Sequence, residues 1–225
     1  MVENFEQIPF GASSFAENPE PRVPVVLLLD TSGSMKGTPI RELNAGLVQF
    51  KDELVADGLA AKRVEIATIT FGPVSIVHEF VTADAYQPPI LSAGNDTPMG
   101  AAIKAGLGLL RTRKDVYRAN GIAYYRPWAF LITDGAPTDS WHGAARHIKE
   151  SEAQKNLSFF AVGTEEANFD ILKQLSVRQP LRLKEMRFRD LFIWLSTSLS
   201  SVSQSQVGDV VPLSNPVTPD GWAAV

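Results

Sequence analysis

The chain has 225 residues, of which 44% are hydrophobic, with a formal net charge of −4 and no cysteine. That length and apolar content suffice for one well-buried core. The missing cysteines exclude disulfides, thiolate metal sites and cysteine nucleophiles, and the scattered Lys and Arg offer no basic face to nucleic acid.

Residues 1–21 read as a polar N-terminal arm broken by Pro9, Pro19 and Pro21, with Phe5, Ile8, Phe10 and Phe15 as the residues that could pin it to a domain. The opening MVENFEQIPF has neither the basic start nor the apolar run of a secretory signal. No apolar segment reaches the length that spans a bilayer, and the expectation is a soluble, cytoplasmic protein. Val23 to Leu29 is a continuous apolar run, as in a strand buried on both faces, and it stops at Asp30-Thr-Ser-Gly-Ser34. Thr38 followed by Pro39 predicts a helix start with Thr38 as its cap. Ile40, Leu43, Leu47, Phe50 and Leu54 give that helix one core face, and Asp57-Gly58 ends it.

Val64 to Phe71 and Val74 to Val81, joined by Gly72-Pro73, predict an antiparallel pair because the connection is so short. A loop from Pro88-Pro89 leads to Gly94-Asn95-Asp96-Thr97, and a second Thr-Pro opening (Thr97, Pro98) starts a helix carrying Ile103, Leu107 and Leu110. The densest basic stretch, Arg111, Arg113, Lys114 and Arg118, reads as a solvated helix end or loop. Trp128 to Thr133 is another apolar strand, and it too ends on an aspartate, Asp134-Gly135. A helix over about 140–155, a strand from Leu157 to Val162, a helix from Phe169 to Leu175 and a short strand from Leu181 to Leu183 follow. The last helix, about 187–202, has the stripe Phe188, Leu191, Phe192, Leu195, Leu199 and Val202. Ile193 and Trp194 fall off that stripe, which predicts cover by the arm or the tail, since free apolar patches are uncommon. Residues 203–225, rich in Ser, Pro and Gly, read as a tail.

The organisation expected is therefore an arm over 1–21, one domain over 22–202 and a tail over 203–225. Alternating strands and helices predict a doubly wound α/β fold, with a mainly parallel central sheet, one antiparallel edge strand and helices on both faces. In such folds ligands bind at the carboxyl ends of the strands, where strand order reverses. Asp30 and Asp134 both stand there.

In Asp30-Thr31-Ser32-Gly33-Ser34 alternate residues carry oxygen, and Gly33 permits a tight bend. Thr97 adds a hydroxyl from a second loop and Asp134 a carboxylate from a third. This all-oxygen set suits a hard cation such as Mg²⁺ or Mn²⁺. Each residue also has an ordinary reading: Ser and Asp abound in turns, and Thr97 alone is as well explained as a helix cap. Asp139, five positions after Asp134, reads as a cap for the next helix rather than a ligand. His78, His142 and His147 show no triad or metal spacing.

The segment DTSGSM after a buried strand resembles the metal-ion-dependent adhesion site, Asp-x-Ser-x-Ser, of von Willebrand factor A domains. The threonine of GNDTPMG and the aspartate of LITDG match its other two positions, over about residues 22–202 and in the expected order. The wording LLLDTSGSM, YQPP, DTPMGAA and FLITDGAPTD further resembles the bacterial tellurium-resistance (TerY-like) branch. The resemblance implies that Ser32, Ser34 and Thr97 bind Mg²⁺ or Mn²⁺ directly, with Asp30 and Asp134 binding directly or through water. It implies a module that docks an Asp or Glu of a protein partner, not an enzyme, in a stress-response or signalling setting where kinases and phosphatases are associated. The competing reading is a haloacid-dehalogenase-like phosphatase with Asp30 as nucleophile. That chemistry calls for a second acid two residues later, where Ser32 stands. A nucleotide-binding regulator ranks lower, because no G-x-G-x-x-G or Walker loop follows the first strand.

Overall fold

Residues 18–224 are described by a computed structural model of the chain; Phe5, Ile8, Phe10 and Phe15 lie outside them. Val23–Asp30 forms β1, every residue of which is buried. Val23, Val25, Leu27 and Leu29 enter one core and Val26 and Leu28 the other. This two-sided burial explains why the run shows no polar alternation. Parallel neighbours flank β1 on either side, β2 (Val64–Phe71) and β4 (Trp128–Thr133). Beyond β2 lies the antiparallel edge strand β3 (Ser75–Thr82). Beyond β4 come β5 (Ser158–Gly163) and β6 (Leu181–Leu183), both parallel, and then a two-residue antiparallel strand, β7 (Ala223–Ala224). The order is β3-β2-β1-β4-β5-β6-β7. The chain builds outward from β1 to β3 and then returns to β1's other side, so strand order reverses between β1 and β4.

Helices cover both faces of the sheet. On one side, α1 (Thr38–Ala56) buries the predicted Ile40, Leu43, Leu47, Phe50 and Leu54. It packs against the last helix, α6 (Phe188–Gln204), whose predicted stripe is likewise buried. Their approach is close because Gly46 has no side chain: a Cβ there would come within 2.5 Å of the Phe192 ring. On the other side lie α3 (Met99–Ala119), α4 (His142–Ala153) and α5 (Phe169–Leu175), over Val26, Leu28, Ala129, Leu131 and Phe159. Among the described residues no helix is long and apolar enough to cross a membrane.

Several helix ends differ from expectation. Gly37, at φ 90°, is the cap of α1, and Thr38 is its first residue and makes no capping bond. Asp57 does end α1, but it also starts a short helix, α2 (Gly58–Arg63), by accepting from the amides of Leu59 and Ala60. A six-residue element is too short to show a hydrophobic period.

The segment after Val202 is the larger correction. It folds back over the sheet, where Ala223 pairs with Leu183, and Trp222 and Ala223 join the core. The domain's packing thus extends past Val202, and the sheet gains a second antiparallel edge strand. The same segment covers Trp194, whose indole Nε1 donates to Ser214 O at 2.8 Å and whose ring lies 5.6 Å from that of Trp222. Ile193 stays 38% exposed. A lone tryptophan and a two-residue pairing in a Ser- and Pro-rich context leave no periodic trace, which is why the sequence reads as a tail.

Candidate metal centre

The loop after β1 leads into a 3₁₀ turn, Gly33–Met35. Asp30 is fully buried; its Oδ1 accepts from the Ser32 amide at 2.8 Å and its Oδ2 from Thr133 Oγ1 at 2.5 Å. That amide bond turns the backbone so that Ser32 and Ser34 point the same way, with their hydroxyls 3.0 Å apart. Ser34 is exposed at the mouth of the crevice, whereas Ser32 is buried. From the end of β4, Asp134 reaches across and its Oδ1 accepts from Ser34 Oγ at 2.7 Å.

Thr97 comes in from the loop before α3. A Cβ built on Gly135 would stand 3.9 Å from both Ser34 Oγ and Thr97 Oγ1, so the two hydroxyls flank one small volume. The five predicted residues are thus brought together by three loops. Thr97 does not cap α3, which begins at Met99. That role belongs to Asp139, whose carboxylate accepts from the amides of Gly100 at 2.8 Å and Ala101 at 2.7 Å. The expectation that Asp139 caps the following helix is therefore wrong: it caps α3, its neighbour in space. Relieved of capping, Thr97 keeps its hydroxyl for the crevice.

Backbone bonds lock the loops to each other. Gly33 N donates to Asn95 O at 3.0 Å, Gly94 N to Thr31 O at 2.8 Å, and Thr138 N to Thr97 O at 2.9 Å. The glycine this arrangement needs is Gly72 rather than Gly33. A Cβ on Gly72 would meet the Thr31 backbone at 2.5 Å, while one on Gly33 would have only an ordinary contact, 3.6 Å from Asn95 O. The sequence's case for Gly33 as a bend does not hold.

Burial pushes the Asp30 carboxyl above its usual range, opposed by hydrogen bonds from Ser32 and Thr133. Burial also raises Asp134, against the Ser34 hydrogen bond and together with the charges of Asp30 and Glu166. Two carboxylates that burial and mutual repulsion discourage from ionising mark a place where positive charge would be welcome. No cluster of three or more His, Cys, Asp or Glu that could hold a metal occurs among the described residues. A centre here would draw most of its donors from hydroxyls, and the donor set suits a hard ion that accepts neutral oxygens. Two contributors escaped the sequence reading. Thr133 steadies Asp30, and the available signal was a lone hydroxyl residue ending the apolar β4. Glu166 acts through space, from a loop with no motif.

The model of the von Willebrand factor type A domain matches residues 25–188, from within β1 to the first residue of α6. No curated protein is significantly similar in sequence. Among solved structures, the pilus adhesin SpaC from Lactobacillus rhamnosus GG, in an open conformation, is similar with a TM-score of 0.65 and 14% identity, over 81% of this chain and 30% of that one. Proximal thread matrix protein 1 from the mussel byssus is similar with a TM-score of 0.56 and 14% identity, over 80% of this chain and 48% of that one. The chain thus spans under half the length of each, and at such identity the likeness concerns the fold alone. Domains of the matched type are commonly adhesion or interaction modules rather than enzymes. With that model covering most of its length, the chain belongs to the von Willebrand factor type A domain family.

Proposed function

We propose that this chain is a metal-dependent protein–protein interaction module, in which Asp30, Ser32, Ser34, Thr97 and Asp134 hold Mg²⁺ or Mn²⁺ and a partner's Asp or Glu docks on the ion. The observation that carries the reading is the convergence of Ser32, Ser34 and Asp134 in one chain of hydrogen bonds, with Thr97 facing the same volume. An octahedral Mg²⁺ usually keeps several waters, so some of the five side chains act through water rather than bind directly. Asp30, with each oxygen already accepting a hydrogen bond, is suited to hold Ser32 in place and to act through water. Ser34 and Asp134 stand nearer the mouth. Two carboxylates at most neutralise a divalent ion and hydroxyls add no charge, so a bound ion would offer an acidic oxygen of the partner an open, electropositive position.

The phosphatase alternative finds less support. Asp30 is fully buried, both its oxygens accept hydrogen bonds, and Ser32 occupies the place of the general acid. The wording around the motif favours a tellurium-resistance-like setting in the cytoplasm, with a kinase or phosphatase of the same system as the partner.

Thermal melting tests the ion. At one hundred times its dissociation constant, Mg²⁺ stabilises the folded chain by about 2.7 kcal/mol, roughly 5–10 °C for a domain of this size. Ser32→Ala with Ser34→Ala abolishes that gain. Affinity capture with Mg²⁺, with chelator, and with the double variant tests the docking. Partners that stay bound under all three conditions refute it. Phosphatase turnover lost on Asp30→Asn would favour the alternative.

A further inference from the structure

The basic stretch Arg111, Arg113, Lys114 and Arg118 does not behave as one solvated patch. Arg113 turns inward to Glu65 and Arg118 pairs with Asp115. Arg111 and Lys114 instead line a groove between α3 and α4 with a volume of about 390 Å³. On α3, positions 104, 107, 111 and 114 recur every three or four residues and share one face; 147, 150, 151 and 154 run likewise along α4 and just beyond its end. We infer that this groove binds a small organic phosphate, its anionic group held by Arg111 and Lys114, one turn apart on α3, and its apolar part resting on Leu107, Leu110 and Leu157.

Among the described residues neither Arg111 nor Lys114 makes an ion pair or a side-chain hydrogen bond. Glu150, also on the groove, forms no ion pair with them. Lys114 is only half-buried, yet burial, with the repulsion of Arg118 and Arg111 and against the attraction of Asp115, lowers its pKa. Helix polarity does not account for the cluster, because the partial charge at a helix end fades within its last turn and Arg111 and Lys114 stand further than that from Ala119. A dianion beside Arg111 and Lys114 is favoured over a single carboxylate, and the leucine floor favours an organic ester over a bare ion. The groove ends at Asn156 and Leu157, just before β5. That is the edge of the parallel sheet opposite Asp30 and Asp134, so the site is separate from the candidate metal centre.

The test is calorimetric titration of the full chain with adenosine 5′-monophosphate, and separately with inorganic phosphate, in chelator so that the metal centre gives no signal. The monophosphate is expected to bind one to one and to weaken at higher salt. Arg111→Ala with Lys114→Ala should raise the dissociation constant by about tenfold or more. Arg146→Ala with Lys149→Ala, which removes two cations from α4 outside the groove, should leave it within about twofold, because those charges are solvent-screened and outside the groove. No binding at millimolar ligand, or equal loss in both double variants, would overturn the site. Equal affinity for inorganic phosphate would overturn the leucine floor as part of it.

Discussion

Replacing Thr133 with valine removes one hydroxyl from the interior while leaving its shape almost unchanged. Thr133 is fully buried; its Oγ1 donates to Asp30 Oδ2 at 2.5 Å and accepts from Gly135 N at 3.2 Å. A hydrogen bond to a charged group contributes about 1.5–3 kcal/mol and a neutral one about 1 kcal/mol, so the variant should lose about 2–4 kcal/mol where Asp30 is ionised. The loss should depend on pH with a definite sign. Burial raises the Asp30 pKa above 3.8 in the folded chain, so the folded state holds that proton more tightly than the unfolded state does. The ion-free protein is therefore most stable with Asp30 protonated, and it loses stability as pH rises from 3.8 through the raised value. Thr133 favours the ionised form, so its removal costs most above that window and about 1–2 kcal/mol below it, where only neutral bonds are lost. Urea denaturation of both proteins in chelator, from neutral pH down to the ordinary carboxylate range, measures this. A loss of the same size at every pH would trace the effect to packing and refute the support of Asp30 by Thr133.

Gly72→Ala forces a methyl group to within 2.5 Å of the Thr31 backbone. It should cost about 2 kcal/mol or more and blunt the stabilisation by Mg²⁺, whereas Gly33→Ala should stay within about 1 kcal/mol of the parent; equal losses in the two variants would contradict the packing described. Asp139→Ala removes the acceptor of two α3 amides and should cost about 1 kcal/mol. Faster hydrogen exchange at Gly100 and Ala101 would report it, and unchanged exchange would show that the cap contributes nothing. Trp222→Ala opens the cover of Trp194 and should cost about 3 kcal/mol, with a red-shifted tryptophan emission. An unshifted spectrum with full stability would mean that the C-terminal segment is not part of the core.

Much of the fold was legible because strong periodic signals agree with tertiary burial. The unbroken run Val23 to Leu29 predicts a strand covered on both sides, and β1 is an interior strand with a core on each face. The spacings of α1 and α6 are those of their buried faces. Caps were less legible, because Thr38 and Thr97 carry the same local signature and neither caps its helix. The winning acceptor for α3, Asp139, lies far along the chain. The C-terminal segment was missed for a related reason, since Trp222 is buried only because Trp194 and β6 stand opposite it.

For the candidate site, the residue types and their order along the chain were set by sequence: a carboxylate and two hydroxyls on one loop, a threonine and an aspartate later. Local pattern cannot decide whether such residues meet. That depended on strand order, which puts β4 beside β1 and so sets Asp134 against Ser34. It depended also on contacts such as Thr133 with Asp30 and Gly72 against Thr31, which join positions far apart in the chain. Side-chain chemistry is local and can be read residue by residue, whereas proximity is a property of the folded path, fixed by how the hydrophobic faces of distant segments are buried together.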